Sequence, residues 1–264
     1  SWQPFSQGLA ALFGALVGLL LSNLLEPAAL DLWGWRAAFV LGILVIPVGL
    51  LIRRRLEETV PSRQAEAETP QMALLWSHRR ELAASILLMI GLASSTYIIV
   101  YYLSNYAVSQ LGMPLSLGIW AGCVAAAVQV LLSPFAGWLC DRLGRRPVVL
   151  WSRLALLVMA YPAFAWINAA PSLARLLVAV GLLSVPMSMT APATMVLVSE
   201  VLPQRLRATG LSIAYCVAIA IFGGFAQFFS TELIRLTGSP NAPALYVIAC
   251  GLVSLVGLWL VRKR

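Results

Sequence analysis

Residues 115–168 read LSLGIWAGCVAAAVQVLLSPFAGWLCDRLGRRPVVLWSRLALLVMAYPAFAWIN. Two apolar runs, roughly 115–139 and 148–168, flank a short polar stretch. Each run offers about the 17 to 25 residues that a helix needs to cross a hydrocarbon core. A spanning β-strand would alternate apolar and polar residues over about ten positions, and no such alternation occurs here. The stretch reads as two membrane helices joined by a tight charged turn.

The same pattern extends in both directions. Further apolar runs cover roughly 5–25, 35–52, 82–108, 173–199, 209–232 and 243–261, which makes eight spans in all. Hydrophobic residues form 61% of the chain and charged residues 11%, with a mean hydropathy of +0.88. No water-soluble fold could cover that much apolar surface with so little polar surface. The expected fold is all-α, a polytopic membrane helix bundle.

Charge sets the expected orientation, because Lys and Arg near span ends are retained on the cytoplasmic side. One set of loops and ends holds Arg53, Arg54, Arg55, Arg63, Arg79, Arg80, Arg142, Arg145, Arg146, Arg153, Arg205, Arg207, Arg262, Lys263 and Arg264, 15 of the 18 basic residues. The other holds only Arg36, Arg175 and Arg235. With an even number of spans both ends of the chain are expected in the cytoplasm. The net charge of +8 then reports topology and contact with anionic lipid, and no nucleic-acid partner is expected.

Nothing points to an enzyme, a cofactor or a metal. Cys123, Cys140, Cys216 and Cys250 lie within or at the edge of apolar helices without paired spacing, so they read as packing residues. The single histidine, His78, stands in a polar loop beside Arg79 and Arg80, and no phosphate-cradling glycine loop occurs.

The longest polar stretch, residues 53–81, is broken by Pro61 and Pro70 and divides the spans into two and then six. This is the arrangement of a two-bundle transporter read from late in its first half. On that reading 1–52 holds the last two helices of an N-terminal bundle, 53–81 a central cytoplasmic loop, and 82–264 a C-terminal six-helix bundle. The chain starts at Ser1 within what reads as a membrane helix, so a preceding segment is expected.

The polar turn of the opening stretch carries Gly137, Asp141, Arg142, Gly144, Arg145, Arg146 and Pro147. Gly137 lets helices approach, Asp141 can cap a helix or pair with an arginine, and Gly144 permits the tight turn. A carboxylate on a neighbouring helix end could latch the arginines, and Glu200, followed by Pro203, Arg205 and Arg207, is the candidate. Positive charge serving topology alone is the other reading.

The spacing G-x-x-x-D-R-x-G-R-R resembles the cytoplasmic loop signature of the major facilitator superfamily. Trp33 to Arg36 with Arg53 to Thr59 resembles the sixth helix and its exit in the metabolite:proton symporter branch. Ser199 to Pro203 and Arg207 to Gly210, continuing to Phe222 to Phe225, is similar to that branch's tenth and eleventh helices. The resemblance covers essentially the whole chain as helices five to twelve of twelve. It implies secondary transport of a small organic-acid-type metabolite with protons across the cytoplasmic membrane by alternating access. In that scheme Asp141, Arg142, Arg146 and Glu200 form a latch that breaks in each cycle. The branch includes carriers for citrate and other tricarboxylates, 2-oxoglutarate, shikimate and proline or betaine; Ser1 to Gln3 with Ser6 and Gln7 looks most like the citrate branch. Cys216 after Tyr215, and Gln227, depart from the usual Asn and Pro.

Substrate contacts are expected from polar residues near mid-membrane, since polar groups facing lipid are costly and turn toward a cavity. Tyr97, Tyr101 and Asn105 recur every four residues on one stripe, and Gln3 and Gln7 are spaced likewise. Gln129 and Gln227 are isolated amides in apolar runs. An aromatic belt, or hydrogen bonds between helices, would account for the same residues. Ser184, Met187, Ser188, Thr190 and Thr194 surround Pro186 and Pro192, which suggests either a kinked gate or a static kink. Gly223 and Gly224 suggest close helix contact or a hinge.

No carboxylate falls in the middle of a span, so either a proton-coupling acid is expected upstream of this sequence or coupling works otherwise. Arg153 and Arg175 lie near helix ends, where their side chains are expected to snorkel to water. Charge recognition of an organic acid is therefore also expected elsewhere. A facilitator-type drug efflux pump would share the loop signature but call for a membrane-embedded acid. A non-transporting sensor or scaffold would call for an appended soluble domain or a degenerate latch.

Overall fold

The computed structural model describes residues 2–43, 45–55 and 71–261. Among them eight helices are long and apolar enough to cross a membrane: α1 (Trp2–Leu24), α2 (Leu32–Leu51), α3 (Arg79–Ser109), α4 (Leu115–Leu143), α5 (Arg145–Ala169), α6 (Leu173–Val201), α7 (Gln204–Thr237) and α8 (Ala242–Leu260). Several outrun the expected spans. α3 begins at Arg79 and α7 runs from Gln204 to Thr237, because arginines at helix ends remain hydrated while the backbone keeps its hydrogen-bond ladder.

The stretch expected as a loop at 53–81 is helical at both described ends: one helix runs Val45–Arg55 and a short one Gln71–Ser77. Residues 56–70 between them, with Pro61, Arg63 and Pro70, lie outside the described residues, as do Ser1 and Arg262 to Arg264.

α3 and α6 form the middle of the bundle. α3 packs along α8 and α7 and also touches α6, while α6 lies between α4 and α5 and α5 returns to α8. α1 docks along α4, and among the described residues α2 packs chiefly on α1 and exposes Phe39, Val40, Val45 and Ile46. The two central helices carry the buried hydroxyls Ser94, Ser95, Ser184, Ser188, Thr190 and Thr194. Small polar side chains let membrane helices pack closely, and their hydroxyls can return to carbonyls one turn back. Ser95 Oγ donates to the Gly91 carbonyl at 2.6 Å, and Ser184 Oγ to the Val180 carbonyl at 2.7 Å.

Besides the π-helical turn Leu30–Gly34 where α2 begins, two helices widen into such turns, Tyr97–Tyr102 in α3 and Ala218–Gly224 in α7. Such turns insert a residue into the ladder and often mark functional positions. The Tyr246 hydroxyl of α8 donates to the Phe222 carbonyl within the one in α7 at 2.6 Å. Cys123, Cys140 and Cys250 are buried as packing residues should be, whereas Cys216 is exposed.

Candidate transport site and its end latch

A cavity opens where α1, α3, α4, α6 and α7 converge. Its polar lining is Gln3 and Gln7 from α1, Thr96 and Tyr97 from α3, Gln129 from α4 and Tyr215 from α7; Met89, Met187 and Met195 supply much of the apolar part. None of the lining residues is charged. The void is about 30 Å³, room for a water molecule or two. Thioethers adapt to irregular shapes, and amides and phenols offer both donors and acceptors, so the wall suits a ligand rich in oxygen atoms.

Each polar group is positioned by a local feature. Gln129, buried in α4, donates its Nε2 to the Pro4 carbonyl at 3.0 Å. Pro4 is in the first turn of α1, yet its carbonyl can still take a second donor through its other lone pair. Gln129 thus lines the cavity and also ties α1 to α4. Tyr97 opens the π turn of α3, and its ring meets that of Tyr101 at 5.3 Å between centroids. A Cβ on Gly223 would fall 2.8 Å from the Tyr97 ring, so the glycine at the end of α7's π turn lets that ring lie flat against the helix. Close contact is therefore the role of Gly223.

Not every expected path residue reaches this cavity. Tyr101 is 40% exposed, and Asn105, one turn further along, is exposed too. Gln227 is exposed on α7. Ser188 is buried with its hydroxyl unpartnered. Thr190 Oγ1 donates to the Pro186 carbonyl one turn back at 2.8 Å, between the two prolines of α6. Its hydroxyl is thus engaged within its own helix.

The charged turn between α4 and α5 lies at one end of the bundle. Gly144, at φ +86°, makes the turn in a region that favours glycine, and α5 starts at the next residue. Arg145 Nη2 stands 3.2 Å from Glu200 Oε1 at the end of α6, with both side chains more than a third exposed. Arg146 Nη2 donates to the Leu258 carbonyl near the end of α8 at 3.0 Å, and the Arg142 guanidinium lies over the Trp138 ring at 4.2 Å. This narrows the expected latch to one of its arginines. Among the described residues Asp141 forms no ion pair, and the arginine that reaches Glu200 is Arg145, because a helix begins there and points its first side chain across to α6. Arg205 is exposed in the turn that starts α7, and Gly137 lies within α4.

A second cavity, of about 810 Å³, is lined at this same end by Ser77, Arg80, Glu81, Arg145, Arg146 and Glu200, among others. The opposite end is held by uncharged groups. The Tyr106 hydroxyl lies 2.8 Å from both Asn168 Oδ1 and the Pro240 carbonyl oxygen, and Asn168 Nδ2 donates to Asn241 Oδ1 at 2.7 Å. The arginine-rich helix ends therefore gather on one side of the bundle.

Arg153 overturns an expectation. It stands in α5, eight residues beyond Arg145, and is 1% exposed. Its Nη1 donates to the Gly91 carbonyl at 2.7 Å and to Ser95 Oγ at 3.3 Å. The side chain reaches inward to α3 because α5 turns that face toward α3 and α8, leaving it no route to the surface.

The sequence model of the Major Facilitator Superfamily matches residues 3–215 and, in a second overlapping placement, 119–264. The chain belongs to the Major Facilitator Superfamily. Relatives include the citrate-proton symporter of Klebsiella pneumoniae, 32% identical over 98% of this chain and 60% of that protein. The alpha-ketoglutarate permease of Escherichia coli K12 is 32% identical over 96% of this chain and 59% of its own length. The shikimate transporter of the same strain is 26% identical over 98% and 62%. The chain thus spans about 60% of the length of these curated relatives. They are transporters, not enzymes, and the superfamily match with eight apolar helices makes this a multi-pass membrane protein.

Sequence reasoning missed Thr96, Tyr215, Met89 and Met195 of the cavity, though it singled out Met187. Helical spacing carried the signal for Thr96, which continues the face of Met89, Leu92 and Ala93. No sequence signal announced the π turns.

Proposed function

We propose that this chain supplies one wall of the solute path in a proton-coupled secondary transporter for a small organic acid, with citrate or another tricarboxylate the foremost candidate. The observation that carries the reading is the cavity in which α1 meets the bundle formed by α3 to α8, where Gln3, Gln7, Gln129, Tyr97 and Tyr215 converge. Amide and hydroxyl donors of this kind can hold carboxylate oxygens. The symporter relatives support the coupling to protons and the solute class. The membrane is the cytoplasmic (inner) membrane, and the arginine-rich end of the bundle faces the cytoplasm, as do both ends of the chain.

A void of about 30 Å³ does not admit a six-carbon acid. Loading requires α1 to rock away from α3 and α7, while the Arg145–Glu200 pair ties α5 to α6 within the bundle. The Arg145–Glu200 pair is solvated and weak, contributing about 0 to 1 kcal/mol. A contact of that strength can bias one state without trapping it.

Proteoliposomes bearing the full gene product should take up citrate or 2-oxoglutarate when an inward proton gradient is imposed, and uptake should collapse when a protonophore dissipates it. Uptake unaffected by the gradient would refute the coupling. Export of apolar cations in its place would favour an efflux pump.

A further inference from the structure

Arg153 is the only charged side chain among the described residues to be buried. Its Nη1 is satisfied by Gly91 and Ser95, but its Nε and Nη2 are buried without a partner. No carboxylate among the described residues lies within ion-pair distance of it. Around the guanidinium stand neutral groups only: a Cβ on Gly91 would fall 2.5 Å from Ser254 Cβ and 3.1 Å from Arg153 Cζ, and one on Gly251 would fall 3.6 Å from Arg153 Cδ. An arginine stays protonated in such surroundings. A full positive charge is therefore held in the low-dielectric interior with no countercharge, an arrangement that packing alone does not call for, since an apolar side chain would fill the space without the desolvation penalty.

The position of that charge relative to the cavity gives it a use. Gly91 accepts the Arg153 hydrogen bond on one side of α3, while Met89, Leu92, Ala93 and Thr96 line the cavity on the other. At about 100° per residue, Gly91 lies roughly 150° around the helix from the centre of those four. One helix, about 10 Å thick, separates the guanidinium from the solute path. The cavity wall itself bears no charge.

We propose that Arg153 is a specificity-determining residue: from behind α3 it sets a positive potential in the uncharged cavity and so selects solutes by their number of negative charges, without touching them. This rests on the transport reading above and deepens it, assigning to this chain a share in the recognition of anionic carboxylates. A unit charge about 10 Å away, at an effective dielectric constant of about 20, changes affinity roughly ten-fold for each charge on the ligand.

The test uses the full gene product in proteoliposomes and measures inhibition of citrate uptake, and direct binding by calorimetry, for tricarballylate, its monomethyl ester and its dimethyl ester. Arg153→Gln and Arg153→Met should weaken the trianion by about a hundred-fold more than the monoanion, whereas Arg153→Lys should keep the wild-type ratio. Using two neutral replacements guards against one that fails to fold. An equal change for all three ligands, or none, would overturn the proposal while leaving the transport reading intact. Wild-type protein that neither transports nor binds any of the three would overturn both.

Discussion

Arg145 at the start of α5 and Glu200 at the end of α6 face each other at 3.2 Å, with 38% and 48% of their side chains exposed. This pair joins two helices that pack along each other over their length. It lies at the mouth of the cavity that also takes in Arg80, Glu81 and Arg146. Its solvation makes it a modest contributor to stability and a natural contributor to the balance between conformations.

Glu200→Gln should shift that balance by no more than about five-fold, the equivalent of about 1 kcal/mol. The check is the rate at which a cysteine placed at Ser77, exposed beside the same cavity, reacts with a membrane-impermeant maleimide in inside-out vesicles. The rate should rise by a few-fold in Glu200→Gln, return toward the wild-type value in the exchanged pair Arg145→Glu with Glu200→Arg, and stay unchanged in Asp141→Asn. A larger response to Asp141→Asn than to Glu200→Gln would move the latch back to Asp141.

Gly223→Ala should act through Tyr97. Its new methyl would meet the Tyr97 ring at 2.8 Å and displace it from the cavity. The expected result is a raised KM for the solute with kcat nearly unchanged. In a Tyr97→Ala background the same glycine change should have almost no further effect, because the displaced ring is already gone. Additive effects of the two substitutions on KM would refute the coupling.

Within the cavity, Tyr97→Phe and Gln7→Leu should raise KM several-fold by removing a hydrogen-bonding group from the wall. Thr190→Val should leave KM within two-fold and lower thermal stability, since its hydroxyl returns to the Pro186 carbonyl and such a bond contributes about 1 kcal/mol. Asn105→Ala, at an exposed position further along α3, should have a smaller effect than either cavity substitution. Uptake kinetics combined with a melting curve of the purified protein separate these outcomes.

Topology has a direct check. Cysteines introduced at Arg80 and at Asn241 lie at opposite ends of the bundle, one in the arginine-lined cavity and the other in the Asn168 network. In intact cells an impermeant reagent should label position 241 and spare position 80. Labelling at 80 from outside would invert the proposed orientation.

The eight apolar segments, the tight turn at Gly144 and the gathering of arginines at one end were legible in the sequence, because each depends on local quantities. Apolar length decides whether a helix can span, and positive charge beside a span decides which end is kept on the cytoplasmic side. The pairing of Glu200 with the Gly144 turn was legible for the same reason, since both occupy that end. The choice of Arg145 over Arg142 or Arg146 was not, because it depends on where α5 begins and how far it is rotated toward α6. In a span apolar on every side, helical periodicity does not tell which face meets a neighbour. Only the packing of α5 against α6 and α8, from which the Arg153 side chain reaches α3, could show that Arg153 is sealed behind Gly91 rather than extended to the surface, and only the meeting of five helices could separate Tyr97 and Gln129, which line the cavity, from Thr190 and Gln227, which do not.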